Sequence, residues 1–468
     1  MLKSDLLRCD MALTNTKSFG SEVRQSVRLS VPLIASNVVQ ASSGFLGTLM
    51  VAHLGRDQLA GLALGSSVYF TLIVFLFGVV SAIGVMVAQN YGAKNQEGME
   101  LAFAQGFILA LLSCIPMILI IWVAPMMLAW SGEPLQITQL AASYLHTIIL
   151  CIVPLSMLVA MEQFLIGMGR TRLVLWISLA EVPFEILFSY AFIFGHFGLP
   201  KYGVAGIGYG FALVFLCTAI GIAIFLARSK LYRQYKLFAR LLSFNAKYFA
   251  ELVRIGWPVG CMYVIEVALL SMLTFMMGRV NADTLAANRI ARQFLMMGLM
   301  FVFAISQVTT VQVGQAVGRK DKIGINRAIL ANLAFGCVVT VLISICYVVF
   351  ARDFISLDVN VHDPRLAMLT HYAIMFLMLA GFAQVFDTLR FIAIGALRGL
   401  RDTKIPMYVS ILTFWCIALP IAWLMCFALQ FGGVGLWIGL LVGILSGAII
   451  LLRRSYKLVQ QVSFATEV

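Results

Sequence analysis

Two acidic residues lie within long apolar stretches of the sequence. Glu266 is the single charged residue between Trp257 and Gly278, and Asp387 lies in the apolar run from about residue 367 to 394. A carboxylate at the depth of a bilayer costs about 2.5–3.5 kcal/mol unless it faces a protein interior or water, so it usually marks an ion or substrate site. Such a group takes up a proton, ligates Na⁺ or pairs with an organic cation. We therefore predict a cation site at Glu266 and Asp387.

Three arginines near these acids leave more than one interpretation open. Arg390 follows Asp387 by one helical turn, so an ion pair within the helix is an alternative to a free cation site. Arg289 and Arg292 lie in the eighth predicted span, in the segment LAANRIARQF (285–294). They either pair with Glu266 or favour an anionic substrate. Both interpretations weaken the expectation of a purely cationic substrate.

Glu181 and Glu185 form a second acidic pair, in the segment AEVPFEI (180–186) of the fifth predicted span. The two residues are one turn apart and share a helix face. In a low dielectric, two neighbouring carboxylates are rarely both ionised, so one of them would carry a proton. The alternative is that they reach the membrane interface or hydrogen-bond to the backbone. They are therefore a possible second acidic site.

The composition that surrounds these residues is that of a membrane protein. Of 468 residues, 62% are hydrophobic and 11% are charged, and the mean hydropathy is +0.97, which excludes an ordinary soluble domain. Apolar runs of about 20 residues recur throughout and predict an all-α polytopic protein with twelve transmembrane helices. The predicted spans are 31–51, 64–89, 102–125, 138–161, 173–195, 203–227, 257–278, 285–314, 328–351, 367–390, 405–429 and 433–452.

The basic residues are distributed unevenly between the two sides of the membrane. The termini and the even-numbered loops hold 25 Lys and Arg residues, against 5 in the odd-numbered loops. By the positive-inside rule, both termini are predicted to be cytoplasmic, in a multi-pass protein of the cell inner (plasma) membrane. The net charge of +13 is then explained by contact with anionic membrane lipids, and no nucleic-acid partner is predicted.

The sequence contains an internal repeat. A shift of 226 positions aligns residues 28–102 with residues 254–328 without a gap. Six spans per repeat is an even number, so two lobes related by a pseudo-two-fold axis along the membrane normal are expected. The basic, aromatic connection between them is predicted to include an amphipathic helix on the membrane surface. The predicted domains are a tail (1–27), a six-helix lobe (28–227), a linker (228–253), a second six-helix lobe (254–453) and a tail (454–468).

The motifs in both halves resemble those of a known transporter family. The sequence resembles the multidrug and toxic compound extrusion (MATE) family, in its NorM-like branch. The resemblance covers about residues 28–453, and Glu266 in YVIEVALLSM (263–272) falls where that branch has an acid in its seventh helix. The matching segments are GFLGTLMVAHLG (44–55), VAQNYGAKN (87–95), QVGQAVGRKD (312–321) and VFDTLRFIAIGALRGLRDTKIP (385–406).

The resemblance implies an exporter that exchanges a hydrophobic, usually cationic compound for H⁺ or Na⁺ by alternating access of a cleft between the lobes. Glu266 and Asp387 would bind the coupling cation. The alternative is a flippase for a lipid-linked sugar or another amphiphile exporter of the same superfamily, which the arginines at 289 and 292 favour. A monomer with a small amphiphilic substrate is expected, with no enzymatic activity and no cofactor or metal other than H⁺ or Na⁺.

The chain departs from the family pattern in its amino-terminal half. In the first span, where relatives often carry an acid, Gly47 precedes Thr48. Glu181 and Glu185 occupy a segment where relatives usually show Asn-x-Pro-x-Asn. One interpretation is that this acidic pair compensates for the acid missing at Gly47.

Overall fold

The computed structural model describes residues 19–461 apart from residues 131, 133, 236, 239, 242 and 362. In that part of the chain the regular structure is helical, and twelve helices are long and apolar enough to cross a membrane. The second helix has 37 residues, so at 1.5 Å per residue it is about 55 Å long, against about 30 Å for a hydrocarbon core. The prediction of an all-α protein with twelve spans is confirmed.

Helices α1–α6 form the amino-terminal lobe and α7–α12 the carboxy-terminal lobe. Their bounds are Phe19–Ala52 (α1), Arg56–Gly92 (α2), Gln96–Trp130 (α3), Leu135–Gly167 (α4), Thr171–Phe194 (α5), Gly206–Arg228 (α6), Ala246–Val280 (α7), Ala282–Gly318 (α8), Lys322–Val349 (α9), Ala367–Gly399 (α10), Lys404–Ala428 (α11, with π-helical segments Leu412–Ala418 and Leu424–Ala428) and Gly432–Gln461 (α12).

Several helices extend beyond their apolar runs. Helix α1 already begins at Phe19, inside the segment assigned to the tail, α7 begins at Ala246, inside the linker, and α12 continues to Gln461. Outside the membrane a helix can continue through polar residues as well as apolar ones. Hydropathy therefore locates the membrane-spanning segment but does not locate the ends of the helix. Residues 1–18 and 462–468 of the predicted tails lie outside the described residues.

The linker differs from the predicted amphipathic helix. Between the end of α6 and the start of α7 at Ala246, its described residues contain one short 3₁₀ helix, Arg233–Tyr235, and Tyr235 and Leu237 are buried against the core of the amino-terminal lobe. Phe238 packs edge-on against Phe103 of α3, with ring centroids 5.6 Å apart. Its aromatic residues therefore pack on protein, which explains their spacing without a membrane-surface helix.

Backbone geometry repeats between the lobes. Lys94 and Lys320, which are 226 positions apart, both adopt the left-handed conformation, with φ of 56° and 58°. Gly169 and Arg401 do the same after α4 and α10, with φ of 76° and 62°. Left-handed backbone is uncommon for residues other than glycine, so its recurrence at equivalent positions supports the predicted pseudo-two-fold relation of the lobes.

Equivalent glutamines join the two lobes at one end of the molecule. Gln89 of α2 donates its side-chain amide to the carbonyl of Gly399 at 2.7 Å. Its counterpart Gln315 of α8 donates to the carbonyl of Gly167 at 3.2 Å. All four residues lie near helix ends that lead into even-numbered loops, so the lobes meet at the end of the molecule that carries those loops.

Two glycines make this contact possible. A Cβ atom on Gly92 would lie 2.1 Å from the carbonyl oxygen of Gln315, and one on Gly318 would lie 2.0 Å from that of Gln89. Real Cβ contacts are never this short, so any side chain would push the lobes apart. The run 78–90 of α2 is buried here, whereas the first half of α2 is partly exposed. The interface between the lobes is therefore closed at this end.

Candidate cation sites in the two lobes

The two predicted acids of the carboxy-terminal lobe meet at one arginine. Arg390 donates from Nε to Oδ1 of Asp387 at 2.7 Å and from Nη2 to Oε1 of Glu266 at 2.7 Å. The side chains of Arg390 and Asp387 are 1% and 4% exposed, and that of Glu266 is 15% exposed. Glu266 from α7 and the pair on α10 thus form one buried triad, with Glu266 on its accessible side.

Packing fixes the position of the arginine. Asp387 and Arg390 are three residues apart on α10, a spacing that places both side chains on one helix face. The guanidinium carbon lies 4.5 Å from the ring centroid of Phe391 and 5.0 Å from that of Phe414, so both aromatic rings contact the cation. A Cβ atom on Gly447 would lie 3.3 Å from Cδ of Arg390, because α12 packs closely on its stem.

The charge balance of the triad decides what it can do chemically. Two carboxylates and one guanidinium leave one net negative charge, which one H⁺ or one Na⁺ would neutralise. Arg390 is thus the partner that the sequence suggested for Asp387, and it also pairs with Glu266. The expectation that Arg289 or Arg292 pairs with Glu266 is wrong in the described part of the chain, because Arg390 takes that position.

Two further polar groups near the triad lack a partner. Among the described residues, the buried Nη1 of Arg390 has no hydrogen-bond partner, and neither has the side-chain amide of Gln384, one turn before Asp387. Buried polar groups are normally satisfied, so such atoms mark places where a water, an ion or a substrate atom fits. Sequence reasoning missed Gln384, although a glutamine within an apolar span is itself a detectable signal.

The remaining arginines lie elsewhere on α8. Arg289 is exposed. Arg292 is half-buried, and its Nη1 donates to Oγ1 of Thr274 at 2.5 Å and to the carbonyl of Leu270 at 3.4 Å. Both acceptors belong to α7 and are uncharged. Arg292 therefore connects α7 to α8 without an acidic partner among the described residues.

The amino-terminal lobe holds an acidic cluster that is larger than predicted. Glu181 and Glu185 are only 3% and 5% exposed, so the alternative of interfacial snorkelling is wrong. Ser43 of α1 donates its hydroxyl to Oε2 of Glu185. Glu162 of α4 is also buried and interacts electrostatically with both residues of the pair. Oε1 of Glu162 and Oε1 of Glu181 have no hydrogen-bond partner in the part of the chain that the structure describes.

Glu162 was missed because the fourth span was predicted to end at residue 161. Helix α4 continues to Gly167, since the segment FLIG after Gln163 is again apolar. Three carboxylates thus lie in one buried region, yet within the described residues no group of acids, histidines and cysteines is arranged to hold a metal ion. The repeat, with its shift of 226 positions, pairs Glu266 with Gln40, so the acids of the two lobes occupy different positions.

Comparison with known proteins finds one protein family that matches both lobes. A family model described as MatE matches residues 32–191 and 258–424. The chain belongs to the MATE family. It is 32% identical over 460 residues to "Probable multidrug resistance protein NorM" of Rhizobium meliloti (strain 1021), covering 97% of this chain and 98% of that protein. The protein of the same name from Pseudomonas putida is 31% identical over 432 residues, covering 92% and 93%.

Solved MATE structures share the fold. One, titled the outward-facing conformation of a multidrug resistance MATE family transporter, superposes with a TM-score of 0.85 at 18% identity, covering 94% of this chain and 96% of that one. The crystal structure of the eukaryotic MATE transporter AtDTX14 gives 0.81 at 19% identity, covering 94% and 99%. At such low identity these matches establish the fold of a multi-pass membrane protein with twelve helices in two lobes. They assign no role to individual residues of this chain.

Proposed function

We propose that this MATE-family protein is a cation-coupled antiporter that exports hydrophobic organic compounds by alternating access between its two lobes. The observation that carries the proposal is the buried triad of Glu266, Asp387 and Arg390, with its single net negative charge. Such a charge in a membrane interior is costly, and binding one H⁺ or Na⁺ removes that cost. The name of the relatives, multidrug resistance protein, supports organic compounds as the exported class.

Coupling follows if the ion and the substrate stabilise different states of the triad. A compound that carries a positive charge competes with H⁺ or Na⁺ for the same carboxylates, so the binding of one favours the release of the other. The lobe contacts at Gln89 and Gln315 close one end of the molecule, and a superposable structure is titled outward-facing. We assign that closed end to the cytoplasm, with the space between the lobes open to the opposite side.

The experiment that tests this function uses purified protein in liposomes with an internal pH or sodium indicator. Adding an organic dye to one side should move H⁺ or Na⁺ in the opposite direction, and an imposed ion gradient should accumulate the dye. Since coupling is reciprocal, both measurements must agree. Dye movement that is insensitive to H⁺ and Na⁺ gradients would replace the proposal with passive transport.

We further propose that both termini are cytoplasmic and that the protein lies in the inner membrane, because of the bias of 25 to 5 basic residues. Single cysteines at Lys230, after α6, and at Asp358, before α10, are then expected to react from opposite sides in a variant without the native cysteines. Both positions are exposed. An impermeant maleimide on intact cells should label only the cysteine at 358. Labelling at both positions from outside would overturn this topology.

The acidic cluster of the amino-terminal lobe is proposed as a second protonation site. The double variant Glu181→Gln, Glu185→Gln is expected to reduce substrate-driven ion flux more than either single variant, because interacting carboxylates share their titration. Ser43, which holds Glu185, lies one turn before Gly47, and a Cβ at Gly47 would contact only Ile207, at 3.9 Å. Gly47→Asp is therefore expected to restore part of the flux lost in Glu185→Gln.

Glu100→Gln serves as the control for these variants, since that acid lies outside the cluster, near Arg240 of the linker. It should leave the ion flux of reconstituted protein unchanged. A double variant as active as wild type would remove the amino-terminal acids from the coupling mechanism and leave the carboxy-terminal triad as its single site.

A further inference from the structure

Arg292 is a cation within the membrane-spanning part of α8 whose hydrogen-bond partners among the described residues are neutral. Its guanidinium donates to Thr274 and to the carbonyl of Leu270, and neither group supplies negative charge. Glu266 is eight residues before Thr274 on α7, about 12 Å away along the axis, and already binds Arg390. An arginine at this depth is expensive unless something compensates its charge.

A small cavity adjoins Arg292 in the carboxy-terminal lobe. It has a volume of about 10 Å³ and lies between α7, α8 and α12. Its polar lining residues are Thr274, Asn288, Arg292 and Trp437, and the remaining ones are leucines and a methionine. None of the described residues that line the cavity is acidic. The wall therefore offers one full positive charge together with an amide and an indole that can donate hydrogen bonds, whereas the hydroxyl of Thr274 already donates to the carbonyl of Leu270 at 2.8 Å.

Trp437 supplies a second, independent observation at this cavity. The residue is 3% exposed, and its buried Nε1–H has no acceptor in the part of the chain that the structure describes. Its ring is stacked on Phe376, with centroids 6.0 Å apart and an angle of 24° between the planes. An indole N–H can only donate, so a partner that satisfies it must be an acceptor.

We propose that Arg292, Asn288 and Trp437 form a binding site for a monovalent anion in the carboxy-terminal lobe. The volume corresponds to about one water-sized atom, which suits a halide ion or a single carboxylate oxygen. A cation is disfavoured, because the guanidinium repels it and the site has no carboxylate. The anion neutralises Arg292 and comes either from solution, as a halide, or from the carboxylate of a transported compound. This site is separate from the triad that carries the proposed ion coupling.

Chloride binding to purified protein in detergent tests the proposal. The midpoint of thermal unfolding is measured while sodium chloride replaces the sodium salt of a bulky sulfonate at constant ionic strength. A saturable increase is expected for wild type, with acetate acting similarly, because a ligand that binds the folded state raises the midpoint. Arg292→Gln and Trp437→Phe should raise the half-saturating chloride concentration by roughly tenfold or more, as expected for the loss of a charge-assisted hydrogen bond.

Arg289→Gln is the matched control, since it removes an exposed arginine one turn away and should respond like wild type. Trp437→Phe keeps one aromatic ring next to Phe376 and removes the N–H together with the rest of the pyrrole ring, so it tests the site even if Arg292→Gln fails to fold. An unchanged half-saturation in Trp437→Phe, or a wild type that responds to neither chloride nor acetate, would show that the cavity holds water and would overturn the proposal.

A second measurement identifies the source of the anion and keeps the two proposals apart. If the carboxylate of a substrate occupies the site, chloride should inhibit the transport of a carboxylate-bearing dye in wild-type liposomes and not in Arg292→Gln. If a free halide occupies it, transport of that dye should not depend on chloride, although chloride still raises the unfolding midpoint. The chloride-dependent rise of the unfolding midpoint should persist in Glu266→Gln in either case, because the anion site is separate from the triad, so the failure of one proposal can be told from the failure of the other.

Discussion

Glu266→Gln is expected to abolish substrate-driven movement of H⁺ or Na⁺ while the protein still folds. Glutamine retains a carbonyl oxygen that can accept the hydrogen bond from Nη2 of Arg390. The substitution removes one negative charge, so Asp387 and Arg390 then neutralise each other and no charge remains to attract a cation. Flux through reconstituted protein should fall to the level of empty liposomes. Asp387→Asn should act similarly, because Glu266 then balances Arg390 alone.

Glu251→Gln is the matched control for this experiment. Glu251 lies on the same helix, near the start of α7, and also pairs with an arginine, Arg401, but both side chains are about one-third exposed. Surface pairs of this kind contribute little, so ion flux and stability should remain close to those of wild type. Ion-coupled export that persisted in both Glu266→Gln and Asp387→Asn would exclude the triad as the coupling site.

Much of the architecture could be predicted from the sequence because the bilayer imposes it. A span needs about 20 apolar residues, and loops rich in basic residues alternate along the chain with loops that have few, so twelve helices in two lobes follow from hydropathy and from the repeat. The depth argument likewise singled out Asp387, which is buried, and Glu266, which is 15% exposed. Local sequence also contains the spacing of Asp387 and Arg390, and the structure confirms that ion pair.

Other features could not be predicted because they depend on contacts between distant helices. Glu266 and Arg390 are 124 positions apart, and only the packing of α7 against α10 shows that the arginine binds both acids. Arg289 and Arg292 are nearer to Glu266 in sequence, but Arg289 is exposed and Arg292 donates to Thr274 and to the carbonyl of Leu270. Glu162 was missed because hydropathy placed the end of the fourth span at residue 161, whereas helix α4 continues to Gly167.

Arg390→Gln is expected to have the largest effect on stability. The substitution leaves two carboxylates buried side by side without their cation, and breaking a buried ion pair in this way typically costs about 3–5 kcal/mol. The folded protein recovered from membranes should fall sharply, and its unfolding midpoint in detergent should decrease. Lysine should rescue little, because a single ammonium group cannot reproduce the planar fork that binds Asp387 through Nε and Glu266 through Nη2.

Arg398→Gln is the appropriate comparison on the same helix. Arg398 is also buried, but its Nη2 donates to the uncharged hydroxyl of Tyr263 at 2.8 Å, so its removal leaves no carboxylate without a partner. Its loss should therefore cost less than that of Arg390. The double variant Arg390→Gln, Asp387→Asn should recover part of the lost stability, since the repulsion between the two acids is gone and Glu266 alone can take up a proton. If Arg390→Gln were as stable as Arg398→Gln and the double variant gained nothing, the two acids would already be neutral in the folded protein, and the net negative charge that drives the proposed cation binding would not exist.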